Sequence, residues 1–484
     1  MSARQARRGA LFLILAVGAA LRFFSLGRQP LWLDEATDAS FAARSLWNCV
    51  FAENIHPPLY RVLLHFVVSG FGDSAATVRF LPALFGILAI PATVVLAQRV
   101  LPANGAKAGP KADLAVGALV ATSPFLIYYS QENRNYSLFV LLSLLSTWAF
   151  LRFRDLGRGL WLYATLSILL LYTHHLAVFV LVAHEIVYWA HLRQRVGDWL
   201  IARSAVVVAL APWMLWVARG YHSEARLFVS PALLIPVALL RFWVGYGVNV
   251  ADTARIAQSL HTKLMEEGPV LVPSLCVYAW LLWRGIRHTE LTKDVKTLLT
   301  AIMFVPWIVL VLLAPWTQLT HERYLVFQAP FILLLVAAGF LTLHGESRLF
   351  AGLAVLIVVG FSLAAYYGAP GSAFGYRFRY GKENWPGAAA FIRQEHVDTV
   401  ILAPGFLSLP FDRCPDGQAR EIQADSSAVP ELHGAGRVAL VLSHTGQAQD
   451  DLRGAMNATY PQIAQMDFTS QNLIRVIVYD RSLR

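Results

Sequence analysis

The reading of this chain turns on "LGRQPLWLDEATDASFAARSLW" (Leu26–Trp47), which follows a basic end and one apolar run. Arg4, Arg7 and Arg8 precede that run, which extends from about Ala10 to Phe24. No cleavage-site pattern separates it from the acidic pair Asp34 and Glu35, so a retained helix is expected rather than a signal peptide. Arginines on its N-terminal side set its start in the cytoplasm, and the acidic pair is then carried to the outer face.

Composition extends this to the whole chain. Of 484 residues, 57% are hydrophobic and only 14% charged, with a mean hydropathy of +0.52, which describes a polytopic membrane protein and not a string of soluble domains. The net charge of +10 and pI of about 9.6 do not point to nucleic acid, because Lys and Arg lie in small groups between apolar runs and make no single basic face. The sequence carries neither a P-loop nor a dinucleotide fingerprint. Cys49, Cys276 and Cys414 have no metal-ligand spacing and cannot form a disulfide framework; one Cys49–Cys414 bridge stays open.

Beyond the first helix, spans of bilayer length are expected near 80–99, 113–129, 137–151, 160–174, 176–191, 200–217, 267–283, 297–315, 325–343 and 349–367. The fold class that follows is a polytopic α-helical membrane protein of about eleven transmembrane helices. Charge tests the drawing independently. Its inner loops carry Arg99, Lys107 and Lys111, then Arg152, Arg154 and Arg158, then Arg193, Arg195 and Arg203, then Arg284, Arg287, Lys293 and Lys296, and finally Arg348. Its outer loops hold the polar residues capable of chemistry. "SPALLIPVALLRFWVGYGV" is apolar enough for a further span, but counting it would turn the basic 284–296 loop outward, so an interfacial or re-entrant helix is expected inside an outer loop over 218–266. The first outer loop, 27–79, contains two helix-like pieces. One places Ala36, Ser40, Ala43 and Trp47 on a stripe, and the other, "LYRVLLHFVVSGFG", follows a Pro pair. A membrane domain over 1–367 is followed by a soluble α/β domain over 368–484, in which "ENWPGAAAFIRQEH" reads as a helix and "DTVILAP", "RVALVLS" and "IRVIVYD" as buried strands.

Asp34 and Glu35 are neighbours, so they point in different directions, and one can act while the other positions. A carboxylate outside the cell near neutral pH is a ready base for a hydroxyl proton, although two acids can also simply mark the water interface. His56, held before Pro57 and Pro58, suits a phosphate or a metal, or a structural role. Glu132 and Arg134 share an outer turn with Tyr128, Tyr129 and Tyr136, and either bind substrate or pair with each other. Arg323, beside Tyr324, offers fixed donors to phosphate oxygens. His174 and His175 are weak metal candidates, since no carboxylate is placed with them. Acids, arginines, histidines and tyrosines converging above apolar spans suit a substrate with a phosphate head and a greasy tail.

In this order and at these intervals, "LDEA", "HPPLY", "SQENRNYSL", "YTHH" and "HERYLVF" resemble bacterial glycosyltransferases of the dolichyl-phosphate-mannose protein mannosyltransferase type. The pattern is also similar to the membrane transferases that decorate lipid A with aminoarabinose from polyprenyl-phosphate sugars. The resemblance covers about residues 10–340. It implies the GT-C fold and inverting transfer from a polyprenyl-phosphate sugar donor to a lipid, glycan or other envelope acceptor, at the outer face of a bacterial inner membrane. It implies Asp34 as catalytic base with Glu35 beside it, and His56, Arg323 and Tyr324 near the donor phosphate. "NIHPP" lacks the Glu-Lys pair that the lipid-A type uses for metal and phosphate contacts, so a divalent metal stays open and no cofactor is fixed.

Two other classes compete. A transporter or flippase of a lipid-linked substrate would place charges at mid-membrane depth, where Arg22 and Glu185 are the residues to watch. An oligosaccharyltransferase or O-antigen ligase would use a diphosphate-linked donor, and a scaffold for an envelope complex would use the tail domain as a partner site.

Overall fold

The computed structural model describes residues 2–51, 56–101, 109–193, 195–219, 231–245, 272–316, 321–368, 382–414, 419–432, 436–444, 446–469 and 472–483. Lys107, the polar residues His222, Glu224 and Arg226 of the outer loop expected over 218–266, and the start of the span expected at 267–283, lie outside them.

Each segment expected to span is helical: α1 (Ala3–Phe23), α5 (Ala75–Val100), α6 (Gly109–Thr122) with α7 (Pro124–Ser130), α8 (Tyr136–Leu156), α9 (Leu160–Leu171), α10 (Val178–Val187), α11 (Val196–Ala218), α13 (272–288), α14 (Lys293–Leu313), α15 (Ala329–Leu341) and α16 (Gly345–Tyr367). Among the described residues, seven helices are long and apolar enough to cross a membrane, or eight if the bent α6–α7 pair is one span. The others are shorter or more charged. α9 stops at Leu171, short of the expected 174, and α1 carries four arginines. At the end of the bundle rich in Lys and Arg, helices are stapled by ion pairs: Arg7 to Asp113, Arg99 to Asp155 at 2.7 Å, and Arg154 to Asp294 at 2.6 Å. α13 and α15 cross through Gly285 and Gly339, where a methyl group on either glycine would collide with the Leu335 or the Leu281 carbonyl oxygen.

The span expected over 113–129 is not straight. Ser123 caps a new helix whose first residue is Pro124, and the two pieces meet at 56°. The break frees the carbonyls at the end of α6, and Arg22 of α1 fills them. Its guanidinium donates to the oxygens of Ala121 (2.8 Å) and Val120 (3.0 Å), to Gly18 O (3.0 Å) and to Ser130 Oγ (3.2 Å). Gln131 returns the favour, its amide donating to the carbonyls of Arg22 (2.9 Å) in the last turn of α1 and of Phe24 (2.8 Å) just beyond it. Glu185 is equally engaged, accepting from the indoles of Trp189 and Trp199 and pairing with Arg203. Both charges watched as transport signals therefore serve helix packing.

The long first loop folds into α2 (Leu33–Ala42), α3 (Leu46–Phe51) and α4 (Leu59–Phe71). The expected stripe of α2 is corrected. Its buried face is Glu35, Ala36, Asp38, Ala39 and Ala42, while Ala43 and Trp47 are exposed, because the polar cluster below α2 draws the two acids inward. α12 (Pro231–Val244) is too short to cross and packs against α7 and the 3₁₀ segment Glu322–Gln328.

The C-terminal domain is a five-stranded sheet in the order β2-β1-β3-β5-β4. β1 (Thr399–Ala403) runs parallel to β2 (Arg420–Gln423) and β3 (Arg437–Leu442), while β5 (Leu473–Asp480) is antiparallel to β3 and β4 (Gln462–Thr469). Alternate residues face opposite layers. Val400, Leu402, Val441 and Val476 pack under α17 (Trp385–Gln394), whereas Ile401, Leu440, Ile477 and Tyr479 pack under α19 (Gln447–Thr459). The short α18 (Ser408–Phe411) leans on α2 and brings the domain against the loop helices. All three cysteines are free: Cys49 is buried beside α4, its thiol on Arg61 O, and Cys414 lies in the core of the C-terminal domain, so the bridge left open above is not formed.

Candidate active site

Helix geometry separates the two adjacent acids. Asp34 and Glu35 occupy the first turn of α2, where unpaired amides favour carboxylates. Adjacent helical residues diverge by about 100°, so one acid must turn inward when the other turns outward. Glu35 is fully buried, whereas the Asp34 side chain keeps 30% exposure.

Glu35 is held from every side. Arg79 of α5 donates to both of its oxygens, Nε at 2.8 Å and Nη2 at 2.7 Å; the Asn133 amide adds a bond at 2.7 Å, and the Lys382 ammonium sits at 2.9 Å. Burial opposes its charge, but Arg79, Lys382 and the hydrogen bonds outweigh burial and take its pKa down to about 2. The remaining donors of Arg79 gather the preceding loop through the carbonyls of Leu26, Gln29 and Pro30. Asn133 also donates to Glu35 O and accepts from Tyr60 of α4 at 2.7 Å. α2, α4, α5 and the turn over 131–135 are thereby locked around one carboxylate.

A second knot lies one turn along α2. Asp38 accepts from Arg61 Nε at 2.8 Å and Arg134 Nη1 at 2.7 Å, and Arg134 Nη2 meets His56 Nε2 at 3.2 Å. Glu132 is buried, with Lys382 at 3.8 Å, and burial pushes its pKa up. Arg323 enters from the 3₁₀ segment and points its Nη1 at Asp34 Oδ2, 3.6 Å away. His321 fixes that segment by accepting from the Arg323 amide, and Glu322 pairs with Arg241 of α12 at 3.5 Å. Tyr324 is half-buried, its ring edge-on to His174.

The structure thus gathers Asp34, Glu35, His56, Glu132, Arg134, Arg323 and Tyr324 at one end of the bundle. The two metal candidates are separated: His174 stacks on Phe139 and caps the next turn with Nδ1 on the Leu176 amide, while His175 is exposed. No three His, Cys, Asp or Glu side chains converge on a metal position among the described residues. The donor set also fits a divalent cation poorly, because Glu35, Asp38 and Glu132 already face guanidinium or ammonium groups. Among the described residues, Asp34, Glu35, Asp38 and Glu132 stand against Arg61, Arg79, Arg134, Arg323 and Lys382, five cations to four acids, while the next carboxylate, Glu383, faces His444 and amide and indole donors.

Sequence reasoning missed Arg61, Arg79, Asp38 and Lys382. Arg61 and Arg79 had a signal, a single charge inside an apolar helical run. Asp38 lies three positions after Glu35 and so shares its helix face. Lys382 had none, since nothing local ties "GKENW" to a loop 350 residues earlier.

No protein-family model matches the chain, and no curated protein matches it. Solved structures do. The apo structure of ArnT from Cupriavidus metallidurans is similar with a TM-score of 0.56 at 14% identity, covering 98% of each chain. The same enzyme bound to undecaprenyl phosphate gives 0.53 at 14% identity, over 97% of this chain and 98% of that one. Arabinofuranosyltransferase AftD from mycobacteria gives 0.53 at 13% identity over 99% of this chain, which spans 40% of AftD. At these identities the likeness is one of fold. The chain is accordingly a multi-pass membrane protein with the GT-C glycosyltransferase fold and a C-terminal α/β domain.

Proposed function

We propose that this protein transfers a sugar from a polyprenyl-phosphate donor to a lipid, glycan or other envelope acceptor, with inversion at the anomeric carbon. The observation that carries the reading is the division of labour on α2. Among the described residues, Asp34 is the reachable carboxylate of the cluster, whereas Glu35, Asp38 and Glu132 are buried against cations. The surplus positive charge beside Asp34 suits a phosphate monoanion or diester, and ArnT, a protein of the same fold, binds undecaprenyl phosphate.

Asp34 takes the proton of the acceptor hydroxyl as its oxygen attacks the anomeric carbon. The bond from that carbon to the phosphate oxygen breaks on the opposite face, and its electron pair leaves with the polyprenyl phosphate. Arg323 is placed to meet the charge that develops there, with Arg134 and His56 behind it. Countercharge for the departing phosphate comes from side chains. The basic connections at the opposite end of the bundle support a cytoplasmic location for that end, and a periplasmic or outer location for the site, in a bacterial inner membrane.

The test is transfer of labelled sugar from extracted lipid-linked donors by purified protein, with and without a chelator. The expected result is transfer that survives chelation and is lost in Asp34→Asn. Transfer only from a diphosphate-linked donor would shift the reading to an oligosaccharyltransferase-like or ligase-like enzyme, and movement of intact donor across vesicles without transfer would shift it to a flippase.

A further inference from the structure

The C-terminal domain reaches the site through two consecutive side chains. Lys382 is buried with its ammonium between Glu35 (2.9 Å) and Glu132 (3.8 Å), and its amide donates to Gln29 Oε1. Glu383 is fully buried. Its Oε2 accepts from the Leu33 amide at 3.0 Å and from the Trp385 indole at 2.8 Å, and its Oε1 accepts from Asn472 at 2.7 Å and faces His444 Nε2 at 2.7 Å. One carboxylate therefore joins α17, the turn after β3 and the start of β5 to the first amide of α2.

That contact supplies a cap that α2 lacks in its own sequence. The helix has ten residues, below the length at which a helix holds itself, and its own N-cap, Trp32, offers no side-chain acceptor. The cap comes instead from a residue 350 positions later. Lys382 adds a second effect: among the described residues, without it Asp34, Glu35, Asp38 and Glu132 face only the four arginines, and the positive excess within that group disappears. A second contact, Arg413 to Asp73 at 2.8 Å, holds the domain at the far end of α4 and leaves the Lys382–Glu383 step aimed at the first turn of α2.

We propose that Lys382 and Glu383 are positioning residues through which the C-terminal domain clamps the first turn of α2, setting Asp34 against Arg323 and supplying the site's surplus charge. The proposal rests on the transferase reading for its kinetic part only. Displacement of a reacting group by about 1 Å lowers a rate about a hundredfold, which is the size of effect expected if the clamp opens.

The experiment uses the full chain in nanodiscs with Lys382→Met, Lys382→Arg and Glu383→Ala, reading kcat, donor KM and amide exchange along residues 33–38. Glu383→Ala is expected to lower kcat about a hundredfold and to speed exchange over 33–38 while the β1–β3–β5 core stays protected. Lys382→Met is expected to raise donor KM about tenfold, and Lys382→Arg to return it to within about twofold of wild type. Unchanged kinetics in both variants overturn the clamp. So does exchange that rises across the whole domain with donor KM unmoved, which marks a merely structural role. If the wild type transfers from no donor, the transferase reading falls, and exchange alone decides: faster over 33–38 supports the clamp, and unchanged exchange overturns it.

Discussion

Replacing Asp34 by Asn separates chemistry from stability, because the proposed base sits in a weak, partly exposed ion pair. Loss of a general base lowers a rate by about 10²- to 10⁴-fold, which corresponds to about 3–5 kcal/mol of barrier. The stability at stake is smaller. Asp34 lies 3.6 Å from Arg323 with 30% of its side chain exposed, and an exposed pair of this kind contributes at most about 1 kcal/mol. Its interaction with the start of α2 adds about 0.3–1 kcal/mol. Asn keeps the shape and a hydrogen-bonding oxygen, so the variant should fold, elute and melt close to wild type while transferring labelled sugar at about a hundredth of the rate or less. Asp34→Glu keeps the carboxylate one methylene further out and should fall between the two. A folded Asp34→Asn protein that retains more than about a tenth of wild-type activity would refute Asp34 as the base.

Glu35→Gln should show the opposite profile: removing one member of a buried ion pair with Arg79 costs about 3–5 kcal/mol, visible as a lowered melting temperature in detergent before any assay is run. The same carboxyl sets an acid limit. Its folded pKa of about 2 lies below the ordinary 4.5, so its stabilisation is complete above pH 4.5 and is lost as pH falls towards 2; the gap in melting temperature between wild type and Glu35→Gln should shrink over that window and stay constant above it. At the α13–α15 crossing, Gly339→Ala forces a methyl onto the Leu281 carbonyl and should destabilise by about 1–3 kcal/mol, whereas Gly360→Ala in α16 meets nothing within 4 Å and should be neutral or stabilising in the same melting experiment.

What the sequence made legible is what hydropathy and charge report locally. Among the described residues, apolar runs marked the long helices, and short continuous apolar runs marked β1, β3 and β5 because these strands are buried on both faces. β2 and β4 sit at the sheet edges with polar, half-exposed residues, and their composition resembles loop. The break at Ser123–Pro124 was hidden because Phe125 to Ile127 continue the apolar run without interruption. In the site, Asp34, Glu35, His56, Glu132, Arg134, Arg323 and Tyr324 do gather around α2, whereas His174 and His175 do not come together there. Which acid faces inward was not legible, since it depends on Arg79, Asn133 and Lys382 arriving from three other parts of the chain. The Lys382 contact is the extreme case, because a pairing over such separation leaves no trace in local pattern.

The lock between Arg22 and the end of α6 has a bearing on biosynthesis. Arg22 enters the membrane 99 residues before its partner Ala121 exists. At a synthesis rate of about 5–20 residues per second, the guanidinium waits about 5–20 s with no carbonyls to bind. An arginine in hydrocarbon is costly, but this one sits at the last turn of α1, where its long side chain can reach headgroups and water in the meantime. Insertion of α6 and α7 then withdraws it from the interface into the bundle. The first helix is therefore seated by the third hydrophobic segment to emerge, and the end of α1, from which the loop carrying Asp34 departs, is fixed only at that moment.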